Sequence, residues 1–248
     1  MQCLMSRIKG ILSPAPAGFS GVLTVLFALC CLAPWALPAQ AGNAQGIRGS
    51  VHDFSDEEWS TEREICNVCH APHDKGRDRY KNGLLWNHTL SSATYVMYSN
   101  GFSETQTHAA ASQPTGNSKL CLGCHDGTVA LDSFDRYAGD PDLVMGNISP
   151  LKRVPRVMSG SELDLRGTHP ISVSYAGDDP ALHPATNTWP GGRTIAQTLE
   201  DGKVQCSTCH DVHNGPESVA GTMLLRAANS LALGSEAASG LCLTCHNK

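Results

Sequence analysis

Four times in this 248-residue chain, two cysteines stand three positions apart with a histidine directly after the second. The copies are CNVCH (66–70), CLGCH (121–125), CSTCH (206–210) and CLTCH (242–246). This is the attachment pattern of c-type haem. The two thiols add across the porphyrin vinyl groups and become thioethers, and the adjacent imidazole becomes the proximal ligand of the iron. On a helix, positions i, i+3 and i+4 share a face, so both sulfurs and the ring meet one cofactor. Zinc ribbons also pair Cys-x-x-Cys units, but they do not require the histidine, which follows here in every copy. A thioredoxin-like redox pair is expected near a βαβ pattern, and none surrounds these sites. The motifs predict four haem c groups. Their thioethers fall on Cys66, Cys69, Cys121, Cys124, Cys206, Cys209, Cys242 and Cys245, and their proximal ligands are His70, His125, His210 and His246.

Seven of the 11 histidines then remain: His52, His73, His88, His108, His169, His183 and His213. Four irons need at most four more ligands, so the supply favours two histidines on every iron. Methionine is the usual alternative, and Met97, Met145, Met158 and Met223 are available. His73 and His213 each follow a proximal histidine by three residues, in CHAPH and CHDVH. Three residues span at most about 10 Å. That is too short to round a porphyrin and reach the far side of the same iron, so each is expected to serve a neighbouring haem. His169 precedes Pro170 at the head of a strand-like run. His52 lies near the start of the exported chain. His88, in LWNHT, is the main rival, while His108 and His183 read as surface residues.

The elements around these sites follow from composition. Residues 1–41 read as a secretory signal: Arg7 and Lys9 precede an apolar stretch, and Ala39-Gln40-Ala41 closes it with the small-x-small pattern of a cleavage site. The apolar run is short for a membrane span and is interrupted by Pro34 and Pro38. Of the 11 cysteines, Cys3, Cys30 and Cys31 fall in that segment, and the motifs use all the others, which leaves none for a disulfide. Haem attachment outside the bacterial cytoplasm agrees with export.

Aromatic residues are 6% of the chain and charged residues 17%, while Gly (24) and Pro (14) are plentiful. Such a chain has too few bulky residues for a conventional core. The expected fold, over residues 42–248, is one multihaem cytochrome c domain with a haem-stack core. It is mostly loops, with short helices at the attachment sites and a few short strands such as HPISVSY. One further helix is expected near 218–232. The first motif cysteines, at 66, 121, 206 and 242, are too unevenly spaced for a solenoid. A net charge of −5, with no basic cluster, argues against nucleic-acid binding.

The order HDFS, CNVCHAPH, LLWNHTLSSATYVMYS, LCLGCHDGTVALD, HPISV, VQCSTCHDVHN, LLR and LCLTCHNK resembles the OmcE-type tetrahaem c cytochromes. These exported proteins polymerise into extracellular filaments, or cytochrome nanowires. The resemblance covers most of the chain after residue 41, least distinctively in 139–200. It implies bis-histidine haems in an unbroken row, and a homopolymer joined by a histidine of one protomer on a haem of the next. Carried onto matching positions, it implies His52, His73, His169 and His213 as distal ligands and ranks His88 below them, as the residue that could replace one. It also implies an electron carrier rather than an enzyme, found outside the cell or on its surface and exchanging electrons with other redox proteins or extracellular acceptors. Two other functions fit the motifs: a soluble periplasmic electron shuttle, and a multihaem reductase. A reductase needs an iron with an open position.

Overall fold

The computed structural model describes residues 46–60, 63–71, 85–98, 110–135, 137, 139–140, 143, 163–220, 222–228 and 239–247. The chain divides into a unit Met1–Gln40 and a unit Ala41–Lys248, and all the described residues lie in the second. No helix among them is long and apolar enough to cross a membrane.

Regular structure is sparse and gathers at the motifs. Helix α1 (Gly116–His125) carries the second motif, α3 (Cys206–Cys209) the third and α4 (Gly240–Cys245) the fourth. The remaining elements are α2 (Ile195–Thr198) and the antiparallel pair β1 (Val173–Ser174) and β2 (Lys203–Val204), in register Val173 to Val204. HPISVSY thus contributes a strand of two residues only, and Ser172 at φ +58 interrupts it on the amino-terminal side.

Two expectations are corrected. The first motif is a set of turns rather than a helix. The His70 N–H reaches the Cys66 carbonyl at 2.8 Å, but the chain then leaves to pair with 85–87: His70 bridges Trp86, and Asn87 N–H donates to the Cys69 carbonyl at 2.8 Å. The helix expected near 218–232 is absent from the described part of that range, which ends at 228. Leu224 has φ +59, Leu225 bridges His210, and Arg226 N–H donates to the Cys209 carbonyl at 2.9 Å. Pairing with the third motif outweighs the helix propensity of MLLRAA, as tertiary context commonly does.

Polar contacts, more than apolar packing, fix α1 against α3. Ser118, fully buried on α1, donates to Gln205 Oε1 at 2.6 Å and accepts from Cys206 N–H at 3.0 Å. Gln205 also opens α3 through a reciprocal cap with Thr208. The start of α1 is held by Glu200, whose carboxylate accepts from Asn117 N–H at 2.7 Å, as an anion at a helix N-terminus should. Gly116 permits that approach. Its φ is +52, and a Cβ there would come within 2.5 Å of the Glu200 carboxylate.

Helix α2 closes on α3 through the Thr208 hydroxyl, which donates to the Thr198 carbonyl at 3.1 Å. The apolar clusters are small. Tyr95, Leu122 and Leu165 form one, and Phe54, Val68 and Phe134 the other. Each borders an attachment motif: Leu122 is in the second, and Val68 with Cys69 in the first.

Candidate functional site

Each motif histidine is oriented by its own turn. His210 N–H bonds the Cys206 carbonyl at 3.1 Å and His246 N–H the Cys242 carbonyl at 2.9 Å, repeating the His70–Cys66 bond. This i to i−4 bond places the ring beside the two sulfurs.

Three motif rings face a second histidine. His70 faces His213, with ring centroids 6.3 Å apart and planes 21° apart. His125 faces His52 at 6.1 Å and 79°. His246 faces His169 at 6.2 Å and 65°. Two imidazoles bound on opposite sides of one metal ion have centroids roughly 6 Å apart, given metal–nitrogen bonds of about 2 Å. His213 therefore stands opposite the first motif although it lies three residues after His210 of the third. Among the described residues, no histidine ring pairs with His210 in this way.

Hydrogen bonds set the free nitrogens. His169 Nδ1 lies 3.0 Å from the Pro170 carbonyl, and His210 Nδ1 lies 2.8 Å from the Met223 carbonyl. Each Nδ1 is therefore the N–H donor, and the Nε2 lone pair remains available, as in a metal-binding histidine. His52 is held neutral by its surroundings. Burial first, then the neighbouring His125, His210 and His213, lower its pKa to about 4. Its buried Nδ1 has no hydrogen-bond partner. A buried, uncharged imidazole is the form that binds metal.

The other candidates divide. His88 is 3% exposed, with Nδ1 2.9 Å from the Thr89 carbonyl and Nε2 3.1 Å from the Ala130 carbonyl. Both ring nitrogens point at carbonyl oxygens, and burial lowers the pKa of the ring, so only one of them donates; among the described residues no motif histidine ring faces His88, whose Nε2 lies 3.6 Å from the Cys124 sulfur. Met97 packs against the Tyr95 cluster. Met223 lends its carbonyl to His210 while its side chain is 72% exposed. The backbone of His183 is pinned to the fourth motif, its N–H donating to the Cys245 carbonyl at 2.8 Å. His73, His108, Met145 and Met158 lie outside the described residues.

The sulfurs form a sequence of neighbours. Burial pushes the Cys69 thiol up to about 11, and the neighbouring Cys66 adds to this. Burial also raises Cys124, with further pressure from Cys69 of the first motif. Cys121 of the second motif hydrogen-bonds Cys206 of the third, which holds Cys121 protonated and lowers Cys206 to about 7. Burial raises Cys209 to about 12, and Cys245 and Cys242 of the fourth motif contribute. The first motif thus neighbours the second, the second the third, and the third the fourth. The first cysteines of the two outer motifs, Cys66 and Cys242, are exposed, whereas those of the inner motifs are half-buried.

None of these eight cysteines forms a disulfide. Among the described residues, no three His, Cys, Asp or Glu side chains converge as ligands of one metal ion. A zinc ribbon needs four such ligands. A porphyrin would bring its own four nitrogens and ask the chain for two more donors, which the paired histidines at three motifs could supply. No protein-family model matches this chain, and no curated protein matches it.

The contacts between motifs were invisible in the sequence. Ser118 and Gln205 are separated by 87 positions and carry no motif of their own. The pairing of His213 with His70 was equally hidden, because spacing excludes a histidine's own haem without naming its neighbour.

Proposed function

We propose that this chain is an exported electron carrier that binds four haem c groups and polymerises outside the cell. The observation that carries this reading is that three of four Cys-x-x-Cys-His motifs each set their histidine opposite a second, non-motif histidine at the spacing of two axial ligands. Bound haem supplies one-electron chemistry at iron. The attachment points lie side by side, with Cys69 near Cys124, Cys121 near Cys206 and Cys209 near Cys245. Ser118 and Gln205 fix the central junction, and the Nδ1–H bonds of His169 and His210 orient their rings. The excess of acidic over basic residues disfavours nucleic acid; the proposed partners are other copies of this chain and other redox proteins or extracellular acceptors.

His210 is the exception, and it sits beside the exposed Met223. In this reading its iron takes His73 of a neighbouring protomer as the sixth ligand, so that one bond both completes the third site and joins two subunits. A second reading draws on the same observation: a third iron with an open position belongs to a reductase.

Intact mass after acid denaturation, carbon monoxide titration and negative-stain microscopy of the secreted protein separate these outcomes. The expected result is the polypeptide Gly42–Lys248 plus four haems, long filaments, and no spectral response to carbon monoxide. Monomers that bind carbon monoxide at one haem in four would support the reductase. A mass without haem would remove both readings.

A further inference from the structure

Among the described residues, three buried polar side-chain atoms find no hydrogen-bond partner: His52 Nδ1, Trp59 Nε1 and Trp86 Nε1. Buried donors are almost always paired, so each orphan asks what it meets. The two indoles are not scattered. Trp86 stands edge-on to His70, with centroids 6.0 Å apart at 89°. Trp59 packs on Phe54 at 5.4 Å, in the cluster that contains Val68 and Cys69 of the first motif. Phe54 in turn stands 6.2 Å from His52, which faces His125 of the second motif. Both orphaned donors therefore border the first two haem positions. Trp189, remote in sequence from those two motifs, provides the contrast, because its indole N–H donates to Thr198 Oγ1 at 3.0 Å.

We infer that the indole N–H groups of Trp59 and Trp86 are seats for haem propionates. This inference rests on the four-haem reading. An indole donates and cannot accept. The porphyrin nitrogens are committed to iron, so the acceptors a haem brings are its two carboxylates. A charged acceptor forms the stronger class of hydrogen bond. Such a bond stabilises the propionate anion inside the protein, lowers its pKa, and offsets part of the negative charge that favours ferric iron. Trp86 serves the first haem. Trp59 lies between the first and second, and the test distinguishes these sources.

The experiment uses the exported holoprotein and ultraviolet resonance Raman, which reads the hydrogen-bond state of each indole, assigned with Trp59→Phe and Trp86→Phe. Intact mass counts the haems in every sample. In the fully loaded protein all three indoles are expected to be hydrogen-bonded. In Cys66→Ala/Cys69→Ala, which lacks the first haem, Trp86 becomes free while Trp189 is unchanged. Trp59 becomes free either in that variant or in Cys121→Ala/Cys124→Ala, and this identifies its haem. Should a haem-deleted variant misfold, shown by loss of the Trp189 bond, the loaded Trp→Phe variants decide. Each should lower the midpoint potential of one haem in four and shift its pH-dependent step upward. Trp59 and Trp86 free in the loaded protein, bonded regardless of haem content, or replaceable without any potential shift would overturn the inference. A protein that carries no haem by mass fails the underlying reading instead, and is recognised as such before any Raman spectrum is compared.

Discussion

On the proposed function, His213→Ala is expected to convert one haem in four from low-spin to high-spin, and the haem affected is the one on Cys66 and Cys69, not the one three residues away. His213 faces His70 at 6.3 Å, while the His210 ring is turned to the Met223 carbonyl. Removing the imidazole leaves the first iron with His70 alone, open to water or carbon monoxide. The expected signal is a quarter of the total haem binding carbon monoxide with full haem loading by mass. The assignment is checked by repeating the substitution in Cys66→Ala/Cys69→Ala. With the first haem gone, His213→Ala should add no high-spin fraction. A high-spin fraction that persists there would move His213 to another iron.

His73→Ala carries the second large effect, on assembly. The pairs His70–His213, His52–His125 and His169–His246 absorb three of the four non-motif histidines that the family resemblance implies as ligands. The fourth is His73, and the motif without a partner among the described residues is the third. The ring of His246, in the fourth motif, faces His169, so the joint proposed above between protomers is placed at His210. The variant is expected to give monomers or short oligomers with one high-spin haem per chain. Filaments of normal length with four low-spin haems would exclude His73 as the joining ligand.

What the sequence made legible was local. A Cys-x-x-Cys-His unit fits within one helical turn, so its chemistry is written in five consecutive residues. The scarcity of regular structure followed from Gly, Pro and the shortage of aromatics. The reach limit on His213 was also local, since a chain of three residues has a fixed maximum length. What lay hidden was long-range. MLLRAA has helical character, yet Leu225 and Arg226 are drawn to the backbone of the third motif. His88 has the residue type of a ligand but is buried between two carbonyls, one of them from Ala130, 42 positions away. The orphaned indoles of Trp59 and Trp86 leave no trace in sequence at all, because an unpaired donor is defined only by its surroundings.

The planes of the paired rings carry a magnetic consequence. The rings of His70 and His213 are nearly parallel, at 21°, whereas His52–His125 and His169–His246 are crossed, at 79° and 65°. Imidazole π orbitals mix with the iron d orbitals that lie perpendicular to the ring plane. Parallel rings act on the same d orbital and split the pair strongly; crossed rings act on both and leave them nearly degenerate. If the proposed haems are bound, the first ferric centre is expected to give a rhombic paramagnetic resonance, and the second and fourth broad, highly anisotropic signals. One polypeptide would then give chemically identical cofactors distinct electronic axes, set by the rotation of side chains about their Cα–Cβ and Cβ–Cγ bonds.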